Sequence, residues 1–244
     1  QGSRRQYNYY KCENCSLVNI DLDTVNITEN QSKYELSFPE PYSREKNKGS
    51  FDTWDFIENN IPVKGKMLDI GCGSGALLLL AKKAGFRVKG LELSEYLAGK
   101  IRNESGIDVD NVNFLELSKI NEKYDLITLR HVLEHLPDSV KAMSRINMML
   151  AKGGKAVLEF PNIEALSFKF KRFLSRCGIY KKKYSDDYVP GHCNEFSRKS
   201  FIYLCEQTGF RLLKWETYSS KPSMNYVYKV FPAGTKARAL VEKI

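Results

Sequence analysis

Short apolar runs alternate with amphipathic stretches through the middle of the chain. The apolar runs predict β-strands at residues 67–70, 85–93, 112–115, 124–129 and 155–160. Between these runs, apolar side chains recur at helical spacing, which predicts helices over residues 51–60, 77–84, 95–103 and 139–150. Strands that alternate with helices are typical of parallel βαβ units with right-handed crossovers. We therefore predict a doubly wound α/β fold with a mostly parallel sheet.

In the last third of the chain, an insertion interrupts the alternation of strands and helices, which then resumes. Residues 163–196 are rich in basic and aromatic side chains, and we interpret them as an insertion in the predicted fold. The pattern then predicts an amphipathic helix over residues 197–208, ended by Gly209. Two further apolar runs, residues 210–218 and 226–231, predict a terminal pair of strands. With this pair the predicted sheet has seven strands.

The first 50 residues have a different, more polar composition. We interpret residues 1–50 as an N-terminal arm and linker, followed by one domain over residues 51–244. The arm contains Cys12 and Cys15 in a CxxC pattern, which is half of a structural zinc site. Because no second CxxC occurs in the chain to complete a four-ligand site, we predict no metal there.

A glycine-rich turn follows the first predicted strand. Residues 68–75 read LDIGCGSG, so an apolar strand carrying Asp69 breaks into Gly71, Gly73 and Gly75 before a helix begins. Such a turn lets a ligand approach bare backbone at the start of a helix. Taken alone, the turn also fits the relaxed dinucleotide pattern that ends at Ala76. A nucleotide-like ligand is therefore expected, and the turn does not decide which one.

Composition limits the class of protein. The 244 residues are 42% hydrophobic, and no segment reaches the roughly 18 consecutive apolar residues of a membrane helix. The net charge of +9 indicates a solvated basic surface or an anionic partner, either a small molecule or a nucleic acid. Six irregularly spaced cysteines argue against a disulfide framework, so we expect a reducing cytoplasm.

Several ordered sequence blocks together resemble one enzyme family. Beside the glycine turn, they are GLELS at residues 90–94, YDLITLRHVLEHLPD at 124–138, KGGKAVLEFPN at 152–162 and HCNEFSRKSFIYLCEQTGF at 192–210. The chain in this way resembles the class I S-adenosylmethionine-dependent methyltransferases, from about Phe51 to Phe231. The last two blocks are most similar to the small-molecule branch found beside ubiquinone-type and sugar-tailoring enzymes.

The resemblance implies S-adenosyl-L-methionine as the methyl donor, S-adenosyl-L-homocysteine as its product, and a set of cofactor contacts. It assigns Glu92 to the ribose hydroxyls, and it assigns Asp69 to the glycine loop or the ligand ammonium. The other cofactor positions that it implies are Gly71, Cys72, Gly73, Gly75, Leu93, Leu115, Glu116, Arg130 and His131. An exposed, solvent-facing Glu116 is equally compatible with the sequence.

Methyl transfer to an alcohol or phenol is helped by a general base, and histidine is suited to that role. We prefer His192 as the base, with Glu195 as a weaker substitute and Tyr188 as a substrate contact. His131 is assigned to the cofactor or substrate edge and His135 to a structural role. The spelling of residues 131–135, His-Val-Leu-Glu-His, differs from the HExxH pattern of zinc hydrolases, and we predict no metal.

The resemblance implies that the insertion, residues 163–196, is a helical lid over the acceptor site, and it carries a basic cluster beside apolar side chains. Phe168, Phe170 and Phe173 give residues 168–176 an apolar side among lysines and arginines, which predicts a basic amphipathic helix. Arg172 and the lysines at 181–183 favour an anionic acceptor, such as a phosphorylated, phosphoramidate or nucleotide-linked sugar or amino acid. A solvated lid surface is the alternative.

Three competing functions remain open at this point. A nucleic-acid methyltransferase is favoured only by the charge, since the Asn/Asp-Pro-Pro-aromatic signature of base amino methylation is absent from the sequence. An NAD(P)-binding oxidoreductase rests on the glycine turn alone. A non-catalytic cofactor-binding module would keep the cofactor motifs and lack a working acceptor site. The tyrosine-rich arm, residues 7–10, also suggests packing on a second subunit in a homodimer.

Overall fold

The computed structural model describes residues 8–24, 47–62, 64–117, 122–179, 191–219 and 234–244. Seven strands form one large sheet, and three short strands form a second. The strands of the large sheet are β3 (Lys66–Ile70), β4 (Arg87–Glu92), β5 (Asp108–Asn111), β6 (Tyr124–Arg130), β7 (Leu150–Pro161), β9 (Phe210–Tyr218) and β10 (Lys236–Lys243). Those of the small sheet are β1 (Tyr9–Lys11), β2 (Val18–Ile20) and β8 (Asn194–Glu195).

Helices connect and flank the strands of the large sheet. They are α1 (Lys48–Asn60), α2 (Ala76–Lys83), α3 (Glu95–Ser105), α4 (Ser139–Met149), α5 (Leu166–Arg176) and α6 (Arg198–Gln207). Single 3₁₀ turns lie at Leu22–Thr24, Phe114–Glu116 and Leu133–His135. No described helix is long and apolar enough to cross a bilayer.

The strand order of the large sheet is β5-β4-β3-β6-β7-β10-β9. β3 pairs in parallel with β4 and with β6, while β10 pairs antiparallel with both of its neighbours. The chain winds outward from β3 in one direction and from β6 in the other, so the order reverses between these two strands. In doubly wound sheets ligands bind at this reversal, beyond the carboxyl ends of the strands. The predicted mostly parallel, seven-stranded fold is confirmed.

Helix boundaries follow from side chains that the sequence places at each end. The Ser94 hydroxyl accepts from the Leu97 amide and caps α3, which begins at Glu95 where the helical spacing predicts it. Ser197 caps α6 by accepting from the amide of Ser200, and Gly209 follows this helix with a φ of +73°. Capping side chains satisfy backbone amides that the first turn of a helix leaves without partners.

Two predictions about the strands need correction. The third strand lies at Asp108–Asn111, not at residues 112–115, where the chain instead forms the Phe114–Glu116 3₁₀ turn. Asn113 ends the extended segment because its side-chain oxygen accepts from the Leu115 amide, a local bond that competes with strand pairing. The seventh strand is β10, which the sequence pattern did not reveal, and the predicted strand at 226–231 lies outside the described residues.

The N-terminal arm pairs with the end of the insertion. β2 lies antiparallel between β1 and β8, and the Ile20 amide donates to the Cys193 carbonyl over 3.0 Å. The Asn19 side chain donates to that of Asn194. The N-terminal arm therefore packs against residues 193–195, at the end of the insertion.

The insertion contains the predicted basic helix, observed as α5. Phe170 and Phe173 on this helix are 62% and 61% exposed, whereas Phe168 is half-buried. Both ends of the insertion meet at the large sheet, because the Ile163 amide donates to the Phe196 carbonyl. Arg172 lies in α5, and Tyr188 and residues 181–183 lie outside the described residues.

Candidate active site

The glycine turn lies at the carboxyl end of β3, against the loop that follows β6. The amides of Gly71 and Cys72 donate to the Leu91 carbonyl, and Gly71 has a φ of +69°. A Cβ built on Gly71 would lie 2.4 Å from a methyl carbon of Val132, which is closer than real Cβ contacts allow. Only glycine fits this position, because both the backbone angle and the approaching loop exclude a side chain.

Glu92 ends β4 and binds the turn directly. One of its carboxylate oxygens accepts from the Gly73 amide over 2.8 Å, and the other accepts from the Ser94 amide over 3.1 Å. Each carboxylate oxygen has more than one acceptor position, so Glu92 retains capacity for hydroxyl donors. Glu92, which the resemblance assigns to the ribose hydroxyls, therefore also holds the glycine loop in shape.

Asp69 is a buried acid near the carboxyl end of β3. It is 3% exposed, and the Thr128 hydroxyl donates to its Oδ1 over 2.6 Å. Burial raises the pKa of Asp69 to about 6, because the sheet removes the water that would stabilise its charge. The nearby Cys72 thiol is also buried, and burial raises its pKa well above the ordinary value, which disfavours the thiolate form.

The first turn of α1 closes the other side of the glycine turn. The Asn47 side chain accepts from the Ser74 hydroxyl over 3.0 Å. Arg130, at the end of β6, donates through Nη1 to the Ser50 hydroxyl and through Nε to Glu159. The predicted cofactor residue Arg130 is therefore fixed beside α1.

His131 follows Arg130 in a left-handed conformation, with a φ of +55°. Its amide donates to the Glu159 carbonyl over 2.8 Å, and its Nδ1 lies 3.2 Å from Glu134 Oε1. A non-glycine residue in this conformation is held there by its surroundings, and such strain concentrates at functional sites. His131 lies at the predicted edge, directly after β6.

The other two histidines lie together in a second layer of the site. The rings of His135 and His192 meet edge to face with centroids 5.1 Å apart, and His135 Nδ1 is hydrogen-bonded to the Gly191 carbonyl. Burial lowers the pKa of His135, which agrees with its predicted structural role. His192 Nδ1 lies 3.4 Å from Glu195 Oε1, so the two residues predicted to handle the proton are neighbours.

Glu134 links these histidines and was not predicted. It is 1% exposed, and its Oε2 has no hydrogen-bond partner among the described residues. Glu134, His135 and His192 offer ligand atoms that lie within 4.8 Å of one another. Such a set can share a proton or hold a divalent cation. The absence of a metal role stays a prediction.

The residues assigned to the adenine lie on the next two loops. Leu93 follows β4, and its carbonyl accepts from the Asn111 side chain at the end of β5. Leu115 and Glu116 lie in the 3₁₀ turn beyond β5, where Glu116 accepts from the Asn113 side chain. Both loops leave the same edge of the sheet as the glycine turn, so the predicted cofactor residues are brought to one edge.

Sequence reasoning missed residues whose importance depends on a partner far along the chain. Val132 excludes side chains from Gly71, Asn47 binds the glycine loop, and Glu159 holds both Arg130 and the His131 backbone. One signal was available for Glu159: it is a lone acid within the apolar run of residues 155–160, as Asp69 is within 67–70. A buried strand acid requires a partner.

The residues present fit the cofactor that the fold implies. The glycine loop leaves backbone accessible where a side chain would not fit, and Glu92 supplies a carboxylate at the end of the neighbouring strand. Fold and site together define the class I S-adenosylmethionine-dependent methyltransferases. When bound, this cofactor supplies an activated methyl group.

Comparison with known proteins extends this identification to a family. The model of the methyltransferase domain matches residues 40–214, and the chain belongs to that family. A ubiquinone biosynthesis O-methyltransferase of Coxiella burnetii (strain Dugway 5J108-111) is 32% identical over 170 residues, which cover 65% of this chain and 69% of the relative. The same-named protein of Xylella fastidiosa (strain 9a5c) is 26% identical over 191 residues, 71% of this chain and 76% of the relative.

Solved structures share the fold at low sequence identity. The magnesium protoporphyrin IX methyltransferase of Synechocystis PCC 6803, solved with bound S-adenosylhomocysteine, is 14% identical with a TM-score of 0.57, over 81% of this chain and 82% of that one. An S-adenosylmethionine-dependent methyltransferase of Clostridium acetobutylicum ATCC 824 is 16% identical with a TM-score of 0.56, over 80% and 91%. These structures show the fold, whereas the match to the methyltransferase family, with the site that fits the cofactor, makes this chain an S-adenosylmethionine-dependent methyltransferase.

The contact between Gly71 and Val132 predicts the effect of a single methyl group. Gly71→Ala should lower the affinity for S-adenosylhomocysteine by at least about tenfold, roughly 1.4 kcal/mol, because the glycine loop must move. Gly106→Ala is the matched control, since Gly106 also has a positive φ but has no atom within 4 Å of an added Cβ. Both variants should lose stability to backbone strain, and equal affinities in calorimetry would contradict the prediction.

The raised pKa of Asp69 predicts a stability that depends on pH. The folded protein holds this proton more tightly than the unfolded chain does, so stability is lost as the pH rises from about 4 to about 6. The full loss corresponds to about 3 kcal/mol. Asp69→Asn should therefore be more stable than the parent above pH 6 and flatter between these values. Urea unfolding at several pH values measures this, with exposed Asp55→Asn as the control; parallel curves would contradict it.

Proposed function

We propose that this enzyme transfers the methyl group of S-adenosylmethionine to an oxygen atom of a small anionic metabolite. The observation that carries the proposal is the position of two sets of residues against the loop after β6, whose Val132 lies against Gly71 and whose His135 ring contacts His192. The cofactor set consists of the glycine loop and Glu92, and the proton-handling set is His192 with Glu195 on the loop before α6. Histidine beside a carboxylate suits removal of a proton from a hydroxyl group.

In the proposed mechanism, the chain orients an acceptor hydroxyl in line with the donated methyl group and excludes water. His192 accepts the hydroxyl proton at Nε2 as the new carbon–oxygen bond forms. Glu195 accepts a hydrogen bond from His192 Nδ1 and thereby fixes the tautomer that leaves Nε2 unprotonated. The bond from the methyl carbon to sulfur breaks, and the neutral thioether product leaves.

Oxygen as the methylated atom is supported by the relatives named as ubiquinone biosynthesis O-methyltransferases. An anionic acceptor is supported by the net charge of +9 and by the exposed basic residues of α5, such as Lys169 and Lys171. A phosphorylated, phosphoramidate or nucleotide-linked sugar or amino acid has this chemistry. Arg172 and Tyr188 remain the proposed substrate contacts, and His131 the proposed group at the cofactor edge.

Location and assembly complete the proposal. All six cysteines are free thiols, which suits a reducing cytoplasm. Tyr9 and Tyr10 on β1 are exposed, which suits contact with a second subunit in a homodimer. We propose neither a metal ion nor a nucleic acid as a partner.

A two-part binding and turnover experiment tests the function. Calorimetry with S-adenosylhomocysteine and with NAD should give heat of binding for the first ligand only. A screen of phosphorylated, nucleotide-linked and phenolic acceptors, read by release of S-adenosylhomocysteine, should then identify the acceptor class. Binding of NAD alone would overturn the proposal, and turnover only with amine acceptors would overturn the choice of oxygen.

His192→Ala should lower kcat by about 10²- to 10⁴-fold while the affinity for S-adenosylhomocysteine stays unchanged, since the base acts only on the acceptor. Lys199→Ala, an exposed change in α6, serves as the control. Turnover measured from pH 6 to 10 should recover in the variant as hydroxide replaces the base. Normal turnover at neutral pH would remove His192 from the mechanism.

Neutralising the insertion tests the charge of the acceptor. Replacing Arg172 and the three lysines at 181–183 by Gln should raise KM for an anionic acceptor about tenfold or more, because attractive charges near the site are lost. The KM for S-adenosylmethionine should not change. Lys141→Gln and Lys123→Gln, outside the insertion, are matched controls. An unchanged acceptor KM would favour the solvated-lid alternative.

A further inference from the structure

A lysine at the start of β10 lies at the edge of the large sheet where ligands bind. Because β10 runs antiparallel to β7, its first residue, Lys236, is in register with Pro161, the last residue of β7. On its other side Lys236 is in register with Tyr218, the last residue of β9. Ligands of doubly wound sheets bind beyond the carboxyl ends of the parallel strands. Lys236 is therefore at the ligand edge, although β10 was not predicted from the sequence.

The backbone beside Lys236 is fixed from both neighbouring strands. Directly after β7, the buried Asn162 donates through its amide to the Thr235 carbonyl and through its side chain to the Gly234 carbonyl, both over 2.9 Å. From β9, the Thr217 hydroxyl accepts from the Gly234 amide over 3.1 Å. The position of Lys236 at this edge is therefore set by hydrogen bonds to both neighbours of β10.

The segment that fixes β10 also binds the loop of the proposed base. Asn162 forms a parallel bridge with Phe196, and the Ile163 amide donates to the Phe196 carbonyl over 3.1 Å. Phe196 directly follows Glu195, whose carboxylate lies beside His192. The start of β10 and the loop that carries His192 are therefore both bound to residues 162–163, at the carboxyl end of β7.

Lys236 extends a row of charges that are otherwise balanced. Arg238, two residues along β10, shares a face of the sheet with Lys236, because alternate residues of a strand do so. The Arg238 guanidinium donates to Glu159 and to Glu216, and Arg130 donates to Glu159 as well. Two cations and two acids thus offset one another. Lys236 adds a further positive charge, and no acid of the described residues forms an ion pair with it.

The ammonium of Lys236 is half-buried. Its Nζ lies 5.9 Å from the centre of the Tyr218 ring, and within the described part of the chain its three donors have no hydrogen-bond acceptor. Burial lowers the pKa of Lys236. The charges that also act on this pKa come from the neighbouring strands and the loop after β6, namely those of Glu159, Arg130, Glu134 and Arg238. A partly desolvated cation whose donors lack acceptors is suited to an anion from outside the chain.

We propose that Lys236 is an acceptor-binding residue, whose ammonium binds an oxyanion of the acceptor, a phosphoryl group or a carboxylate, at the carboxyl end of β7. This inference rests on the proposed methyl transfer to an anionic acceptor. Lysine binds oxyanions as a compact point charge with three donors. The exposed basic residues of α5 attract an anion from solution, whereas the half-buried Lys236 fixes one oxyanion and selects its bearer over a neutral acceptor.

Nuclear magnetic resonance tests the contact with inorganic phosphate and with acetate. The lysines of the full chain are given isotope-labelled methyl groups in the presence of S-adenosylhomocysteine, and the signal of Lys236 is the one that Lys236→Arg removes. At constant ionic strength against chloride, a bound oxyanion should raise the pKa of Lys236 by about 1 where it prefers the charged form about tenfold. A response to phosphate alone assigns a phosphoryl group, and a response to acetate alone assigns a carboxylate.

Lys214 is the matched control for this measurement. It lies on β9 in the same sheet and also contacts a ring, with its Nζ 5.1 Å from the centre of Phe56. Unlike Lys236, it has an acceptor, because its Nζ donates to the Asn60 side chain over 3.0 Å. The pKa of Lys214 should not respond to either anion. An equal response of both lysines would show unspecific binding and would overturn the proposed contact.

Turnover measures the same contact with the acceptor itself. Lys236→Met should raise KM for an anionic acceptor by about 10- to 100-fold and leave KM for S-adenosylmethionine within about threefold of the parent value. Lys236→Arg should recover part of the acceptor affinity, and Lys214→Met should behave like the parent. Lys236→Met should also fold, since the ammonium has no ion pair to lose within the described residues, and urea unfolding checks this. Where it does not fold, Lys236→Gln carries the test.

Failure of this inference and failure of the proposed function give different results. A pKa of Lys236 that ignores both anions, or an unchanged acceptor KM in folded Lys236→Met, would overturn the oxyanion contact and leave methyl transfer intact. A parent protein that does not bind S-adenosylhomocysteine would overturn the proposed function instead. In that case a response of Lys236 to phosphate or acetate would still support an oxyanion site at this edge.

Discussion

The approach of one loop to another at the centre of the sheet is the constraint on which the site depends. Val132, in the loop after β6, occupies the space where Gly71 would carry a side chain. This contact joins the two halves of the doubly wound sheet at the point where strand order reverses. Arg130, His131 and Glu134 belong to the same loop, so their positions follow from how closely it packs on the glycine turn. A displacement of the loop after β6 would therefore move both the glycine turn and the histidines that this loop carries.

Local signals in the sequence predicted most of the fold, because each helix and strand of the first half is a short-range pattern. Ser94 and Gly209 mark helix ends by chemistry that acts within four residues, and both lie where expected. The predicted position of the third strand was wrong for a related reason, because another local interaction acts there. Asn113 satisfies its neighbour's amide locally, and this bond competes with the pairing that the apolar run predicted. The pairing of β10 with β7 depends on contacts across many residues, and no local pattern revealed it.

The candidate site was predictable only as far as its motifs carry their own chemistry. Glycines and the strand-ending Glu92 signal a ligand through position alone. Glu159 and Glu134 act through partners that are adjacent only in the folded chain, so their roles could not be derived from spacing. Buried acids nevertheless leave a trace, since a charge in an apolar strand requires compensation. Asp69 and Glu159 are both lone acids in apolar strands, and each has its partner on a neighbouring strand.

The small sheet has a consequence for how the protein assembles. Asn19 and Asn194 are separated by 175 residues, yet their side chains bond across β2 and β8. Closing so long a loop costs chain entropy that a pairing of two or three residues cannot offset by itself. The pairing of β2 with β8 therefore depends on contacts elsewhere in the fold that bring these two segments together. Residues 191–196 thus owe their position to the large sheet as well as to the N-terminal arm, so a change in either should be felt there.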